Sequence, residues 1–511
     1  MDTDPEPATL QRFPLESSPS KVPILTTIFL ILAIAVLSSP ANAQLAQTSR
    51  FFQTPADLQT VAVQSPEIPL DRNLQKADLL GAGLQPQGPS ADEYMGPPPK
   101  EHGNVWPTPP FDAWSAVPNY VRKDPKMSAR LTGVLQRGDT VKVTACIPDC
   151  KSAKAWAILG FDGAVPLRTL KAMPVASDAF GTSAAVRYEY GFVPGGRPAV
   201  YAKPDLHAHI LRHEKSEFRL AFVPNPQMAL AGWLQRPDGG WMRKRDIKLF
   251  TPSKFEGVHD GSQEAFVFVR RQVVLKTPND PPKIRKPTKE QQLARAEWLK
   301  AHTLHRYDHL TYLGEKNGRV LVPGGTLPRD VVRVVRQVAR PKGIAATDAW
   351  IHVDLREQVL TAYEGDRRVM ATLVSTGKDD LKSHKTHPGT FKVYAKSVHT
   401  SMRGKPWDDY FAEEVPWTMH YDDGRALHGA YWHDQFGIQK SHGCINLSPA
   451  DAAWLFQWIP PHLPEGWHSV LAVSAKLPTA WVVVEKPGEV VPAKQGHSVA
   501  HLDPGLNPQP R

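Results

Sequence analysis

Cys444 stands in the run Ser441-His442-Gly443-Cys444-Ile445-Asn446, and a second histidine, His428, lies 444 − 428 = 16 residues upstream, followed by Gly429. A thiol near its ordinary pKa of ~8.5 is mostly protonated at neutral pH, so a working cysteine needs a base and donors for the oxyanion it creates. Two histidines are candidates for that base. His442 would share a face with Cys444 in an extended strand, whereas His428 would reach the thiol from a neighbouring strand. Gly429 and Gly443 allow close backbone approach, and the amides around Gly443 and Cys444 are natural oxyanion donors. On residue chemistry alone, a catalytic Cys/His site and a buried cysteine with incidental histidines are equally open.

Other residue clusters carry less. His384, His387, His399, His420 and His433 show no His-Glu-x-x-His spacing and no paired cysteines accompany them, so no metal and no cofactor are expected. Trp407, Trp417, Trp432 and Trp454 would line a groove or serve as core or lid residues. The basic loop Lys378 to Lys385 reads as solvated surface. The two remaining cysteines, in Cys146-Ile-Pro-Asp-Cys150, can close a short disulfide loop in an oxidising compartment, which leaves Cys444 unpaired.

The elements that must position these residues are mostly strands. From Trp350 the sequence WIHVDLREQVLTAYEG alternates and turns at Glu364-Gly365-Asp366, RRVMATLVSTG follows as a second strand, and GTFKVYAKS as a third. Ser448-Pro449-Ala450-Asp451 opens a helix with a capping serine, a first-turn proline and an acid three residues on. Cys444 therefore sits at a strand end just before a short helix.

Upstream, residues 119–250 hold two loose β repeats, each with a Pro-marked start, a β-like stretch, a tryptophan, a Gly turn and another strand. Residues 251–342 read as a linker or accessory region, with a helix by propensity at Lys289 to His302. Residues 44–118 are a Pro-rich spacer expected to be disordered, and residues 476–511 a flexible tail after an edge strand. The apolar run Val22 to Leu37, with Ala41-Asn42-Ala43 after it, fits a signal peptide over residues 1–43; left uncleaved, it would act as a membrane anchor. Either way the rest of the chain is expected to be exported, to periplasm or cell wall. The net charge of +10 and pI near 9.3 suit an anionic partner, but the basic residues are dispersed and no nucleic-acid module is present.

The segment SHGCINL resembles the signature of YkuD-type L,D-transpeptidases. His428-Gly429 sits where that family places its His-Gly, and Ser375-Thr376-Gly377 and Thr386-His387-Pro388-Gly389-Thr390-Phe391 are similar to its earlier motifs. The resemblance covers residues 343–475. It implies a mainly β fold, a β-sandwich catalytic domain with a short helix after the cysteine; the upstream repeats resemble bacterial SH3-like β barrels. It implies Cys444 as nucleophile and His428 as base, the latter oriented by the Gly429 carbonyl. Ser441 would pin the loop, His442 and Gly443 would shape the oxyanion region, and Asn446, where many members have Arg, would contact substrate. The implied reaction is attack on a peptidoglycan donor stem peptide, a thioester, and transfer to an amine acceptor such as a second stem peptide or an envelope protein. Two alternatives stay open: an L,D-carboxypeptidase or endopeptidase on the same scaffold, and a non-catalytic wall-binding protein.

Overall fold

The structure is a computed structural model that describes residues 106–172, 188–404, 410–472 and 477–485. The expected signal peptide, most of the Pro-rich spacer, Trp407 and the last 26 residues of the tail lie outside the described residues. No helix among the described residues is long and apolar enough to cross a membrane.

The chain is mainly β, and its C-terminal part is a two-sheet sandwich. One sheet has the order Arg367–Leu373, Val359–Glu364, Ala349–Asp354, Trp481–Glu485, Gly389–Lys392. The facing layer is built from Ala395–Arg403, Phe411–Asp422, Arg425–Gly429 and Ile445–Leu447. Between them lies a core that includes Ile351, Leu360, Met370, Trp417, Leu427, Ile445 and Val482, closed at one end by the helix Pro449–Trp458. That helix starts as its sequence directs: the Ser448 side chain accepts the Asp451 amide, and Pro449 occupies the first turn.

Two sequence expectations change here. GTFKVYAKS is not one strand, because it bends at Val393-Tyr394 and contributes Gly389–Lys392 to one sheet and Ala395–Arg403 to the other. The stretch read as tail contains Trp481–Glu485, which runs parallel to Ala349–Asp354 in the middle of its sheet. Its three valines are buried, as a central strand covered on both faces requires; flanking prolines hid that role in the sequence.

Upstream stand three small β units rather than two. The first begins with Phe111–Ser115, inside the stretch read as spacer, where alternate residues are buried and pair with Thr140–Ile147. The second spans Glu189–Phe192 to Lys248–Leu249 around Val193, Val200, Leu220 and Met242. The third lies within the region read as linker and has its own core of Val267, Val320, Leu327 and Val334. All three end alike, with a strand, a single 3-10 turn and a strand: Gly163–Pro166, Leu167–Thr169, Leu170–Ala172; then Trp241–Arg243, Lys244–Asp246, Lys248–Leu249; then Gly325–Pro328, Arg329–Val331, Val332–Val335. The long insertion carrying the helix Lys289–His302, which buries no residue, breaks the third copy and masks the repeat in the sequence.

The first two units are joined to the sandwich through backbone pairing. Ser469–Val470 bonds to both Leu131–Leu135 of the first unit and Ala395–Arg403 of the sandwich. Trp467 enters the first unit's core beside Gly133 and Gly163, where an added Cβ would lie 2.6 and 2.5 Å from its ring. Arg219–Phe222 of the second unit runs parallel to Phe411–Asp422 with Arg219 opposite Ala412. Arg236 reaches across to both carboxylate oxygens of Glu413, at 2.8 and 2.7 Å, and the Ala221 amide donates to the same carboxylate. Cys146 and Cys150 form a disulfide, and Cys444 is free.

Candidate active site

Parallel pairing of Arg425–Gly429 with Ile445–Leu447 sets the geometry, with Leu427 opposite Ile445, His428 opposite Asn446 and Gly429 opposite Leu447. Side chains directly across a ladder share a face, and alternate residues along a strand return to it. Ala426, His428 and Asn446 therefore share one face, and continuing the register by one residue sets Cys444 beside Ala426 on that face. The Ala426 amide and the Arg425 guanidinium both act on the sulfur, which agrees with this placement.

The imidazole of His428 is buried, and desolvation pulls its pKa down to about 4. Its Nδ1 faces the Gly429 carbonyl at 3.4 Å, a long contact that favours the tautomer with the proton on Nδ1 and leaves Nε2 as the acceptor. The half-buried thiol of Cys444 is held above its usual pKa, chiefly by burial; the Ala426 amide and Arg425 oppose that rise. Both shifts favour the neutral form of the group concerned.

The loop carrying the cysteine is fixed by hydroxyls. Ser441 Oγ donates to the Cys444 carbonyl at 2.5 Å and accepts the Gly443 amide at 3.0 Å. Thr386 Oγ1 donates to the Gly443 carbonyl and accepts the Gly377 amide, each at 2.8 Å. The segment after Ser375 runs beside the same loop: Ser375 and Asn446 exchange both backbone bonds, and Ser441 donates its amide to Thr376. Gly377 has no room for a side chain, since a Cβ would lie 2.0 Å from the His384 carbonyl. Gly443 adopts φ +119°, where other residues are strained. With the Gly443 amide bonded to Ser441, it faces into the loop rather than toward an incoming carbonyl.

The remaining expected site residues divide. His442 is half-buried between the rings of His384 and Tyr410, at 4.5 and 4.7 Å. Asn446 is buried, and its Nδ2 lies 3.1 Å from Nε2 of His433. Trp432 lies 5.7 Å from His428, Trp417 belongs to the core, and Trp454 stacks on Trp458.

Residues 348–484 match the sequence profile of the YkuD family, described as an L,D-transpeptidase catalytic domain. This part of the chain is a YkuD-family L,D-transpeptidase catalytic domain. A curated Bacillus subtilis relative, "Putative L,D-transpeptidase YciB", is 26% identical over 172 residues, covering 30% of this chain and 86% of that protein. The crystal structure of an L,D-transpeptidase from Stackebrandtia nassauensis is similar at 25% identity and TM-score 0.20, over 29% of this chain and 60% of that one. The catalytic domain of the Enterococcus faecium L,D-transpeptidase is 25% identical at TM-score 0.21, over 27% of this chain and 98% of the domain. Another, from Xylanimonas cellulosilytica, shows 21% identity and TM-score 0.21, over 29% of this chain and 64% of that one. The chain thus spans about three fifths of the length of the Stackebrandtia and Xylanimonas structures.

The transpeptidase domain also holds charged groups around the cysteine that its motifs did not flag. Arg425 donates from Nε to the Lys385 carbonyl at 3.1 Å and from a terminal nitrogen toward His387 Nε2 at 3.0 Å. Asp422 faces both, 3.4 Å from Arg425 and 3.2 Å from His387 Nδ1. His387, which the sequence placed in a motif-like stretch without metal-ligand spacing, thus helps hold the guanidinium that acts on the thiol. An arginine beside an acidic hairpin turn, Asp422-Asp423-Gly424-Arg425, was the available signal.

Proposed function

We propose that this protein is a peptidoglycan L,D-transpeptidase in which Cys444 is the nucleophile and His428 its base. The observation that carries the reading is the shared face of His428 and Cys444 on two parallel-paired stretches, within a domain of this family. Nε2 of His428 takes the proton of Cys444 Sγ as sulfur attacks the carbonyl after the third residue of a donor tetrapeptide. The tetrahedral oxyanion forms near the Cys444 amide, with the Arg425 guanidinium, which already acts on the sulfur, as the cation of the site. The leaving D-amino acid takes the proton back from His428 as the C–N bond breaks, leaving a thioester. An acceptor amine then attacks, gives a proton to His428 and expels the thiolate, which recovers that proton.

Ser441 and Thr386 hold the loop so that the sulfur keeps its place through both steps. Gly429 and Gly443 are positioning residues, His442 walls the pocket, and Asn446 acts through His433. Water in place of the amine would make the same acyl-enzyme a carboxypeptidase. Stem peptides lie outside the cytoplasm, and the Val22 to Leu37 run would direct the chain there.

Intact-mass measurement tests this directly. The purified protein incubated with a tetrapeptide donor should gain one tripeptidyl group on Cys444, and an added amine should discharge it as a new peptide bond. Cys444→Ala should gain nothing. Full turnover by Cys444→Ala refutes the assignment, and release of only free tripeptide in the presence of amine assigns hydrolysis instead.

A further inference from the structure

Asn446 cannot place a charge on the substrate, being neutral, buried and turned to His433. A cation does stand at the rim, and it comes from outside the transpeptidase domain. Arg219 begins the strand Arg219–Phe222 of the second β unit, which pairs with the sandwich next to Tyr410. Its guanidinium lies 4.9 Å from the Tyr410 ring and 5.4 Å from the Trp432 ring. Tyr410 in turn touches His442 at 4.7 Å, and Trp432 touches His428 at 5.7 Å. Two aromatic rings thus link Arg219 to the two histidines that flank the cysteine motif.

Among the described residues, Arg219 has no carboxylate partner within ion-pair distance, unlike Arg212 and Arg236 of the same unit. A half-buried guanidinium held between aromatic faces keeps its edge donors free for a planar anion. Its strand is anchored independently, since Arg236 and the Ala221 amide both bind Glu413 of the sandwich. The side chain is therefore delivered on a fixed element rather than on a loop.

We propose that Arg219 recognises a carboxylate of the donor peptide, so that the second β unit supplies part of the transpeptidase site. This rests on the acyl-transfer reading above, and the experiment separates the two. The full-length protein, Arg219→Ala and Arg219→Lys are compared for acylation of Cys444. The donors are a tetrapeptide with free carboxylates, one amidated at its C-terminus, one amidated at its internal acid, and one amidated at both. Iodoacetamide labelling of Cys444 and the melting temperature are recorded for each variant.

For the free-acid donor, Arg219→Ala should raise KM about 10- to 100-fold, the range of a charge-assisted bidentate contact, with kcat changed less than about threefold. Arg219→Lys should recover part of that loss. Wild type should lose a similar factor on whichever single amidation removes the recognised carboxylate. On the doubly amidated donor, Arg219→Ala and wild type should be equal. An unchanged KM for the free-acid donor overturns the proposal. So does an equal loss on the free and doubly amidated donors, or slower iodoacetamide labelling, since either means the residue only supports the fold. If wild type is acylated by none of the donors, the transpeptidase reading itself falls, and this inference with it.

Discussion

A thiol–imidazole pair can rest as an ion pair or as two neutral groups, and the surroundings of Cys444 predict the second. A free thiol with a pKa of ~8.5 is about 3% thiolate at pH 7, and burial lifts Cys444 above its ordinary value. His428, with its pKa near 4, is protonated in roughly one molecule in a thousand at that pH. Its neighbours give no help, because His433 and His420 are themselves pulled down to about 3 by burial. The cation beside the sulfur is Arg425, already shared with Asp422 and the Lys385 carbonyl.

Alkylation of Cys444 by iodoacetamide should therefore climb about tenfold per pH unit from pH 5 upward, flattening only above pH ~8.5. His428→Ala should leave this profile nearly unchanged, since the neutral imidazole contributes little to resting thiolate. The same variant should slow acylation by a peptide donor about 10²- to 10⁴-fold at pH 7, the usual worth of a general base, and the deficit should shrink as the thiol ionises by itself. A labelling rate that levels off below pH 7 would mean a resting ion pair and refute the argument. If His442→Ala rather than His428→Ala shows the alkaline recovery, the base has been misassigned although the nucleophile stands.

Other consequences concern the scaffold. Gly163→Ala places a Cβ 2.5 Å from the Trp467 ring and 2.9 Å from Val121 and should cost about 1–3 kcal/mol by overpacking, while Trp467→Ala should cost about 3–5 kcal/mol; in the double variant the glycine penalty should shrink to the part the Val121 contact leaves, as read by urea unfolding. Arg236→Met removes a buried guanidinium from the partly buried Glu413 carboxylate, so stability should fall by about 3 kcal/mol and protease should first cut within residues 188–250. Lys396 is buried with its pKa lowered to about 7, against ~10.4 unfolded. Between those values the unfolded chain binds more protons, so this group makes wild-type stability rise by up to about 1.4 kcal/mol per pH unit from pH 7 to 9; Lys396→Met should lose that slope in melting curves.

The sequence carried the transpeptidase motifs well because they are local. SHGC, its capping serine and the Gly-marked turns each declare a conformation within a few residues. It carried long-range partners poorly. Trp481–Glu485 reads as a valine run between prolines, and only its pairing with Ala349–Asp354 makes it central. Phe111–Ser115 is too short to stand out from proline-rich surroundings until Thr140–Ile147 lies beside it. The third β unit was hidden by its helical insertion. At the site, Arg425, Asp422 and Thr386 act through contacts 3 to 57 residues away in sequence, for which no periodicity exists.

The pairing of strands also changes what the upstream units can be. Modules that only tether an enzyme to its polymer need a linker, not a shared sheet. Here Ser469–Val470 and Arg219–Phe222 make the first and second units continuous with the transpeptidase layer on opposite sides. Sheet edges left open are templates for association, and these pairings cover them. The cost of that arrangement is a buried charged contact, Arg236 on Glu413, which is well satisfied only when unit and sandwich are in register. Register at Glu413 sets register at Ala412, and hence the place of Arg219 beside Tyr410. The same few residues that seal the edge therefore also aim a guanidinium at the rim of the cysteine site.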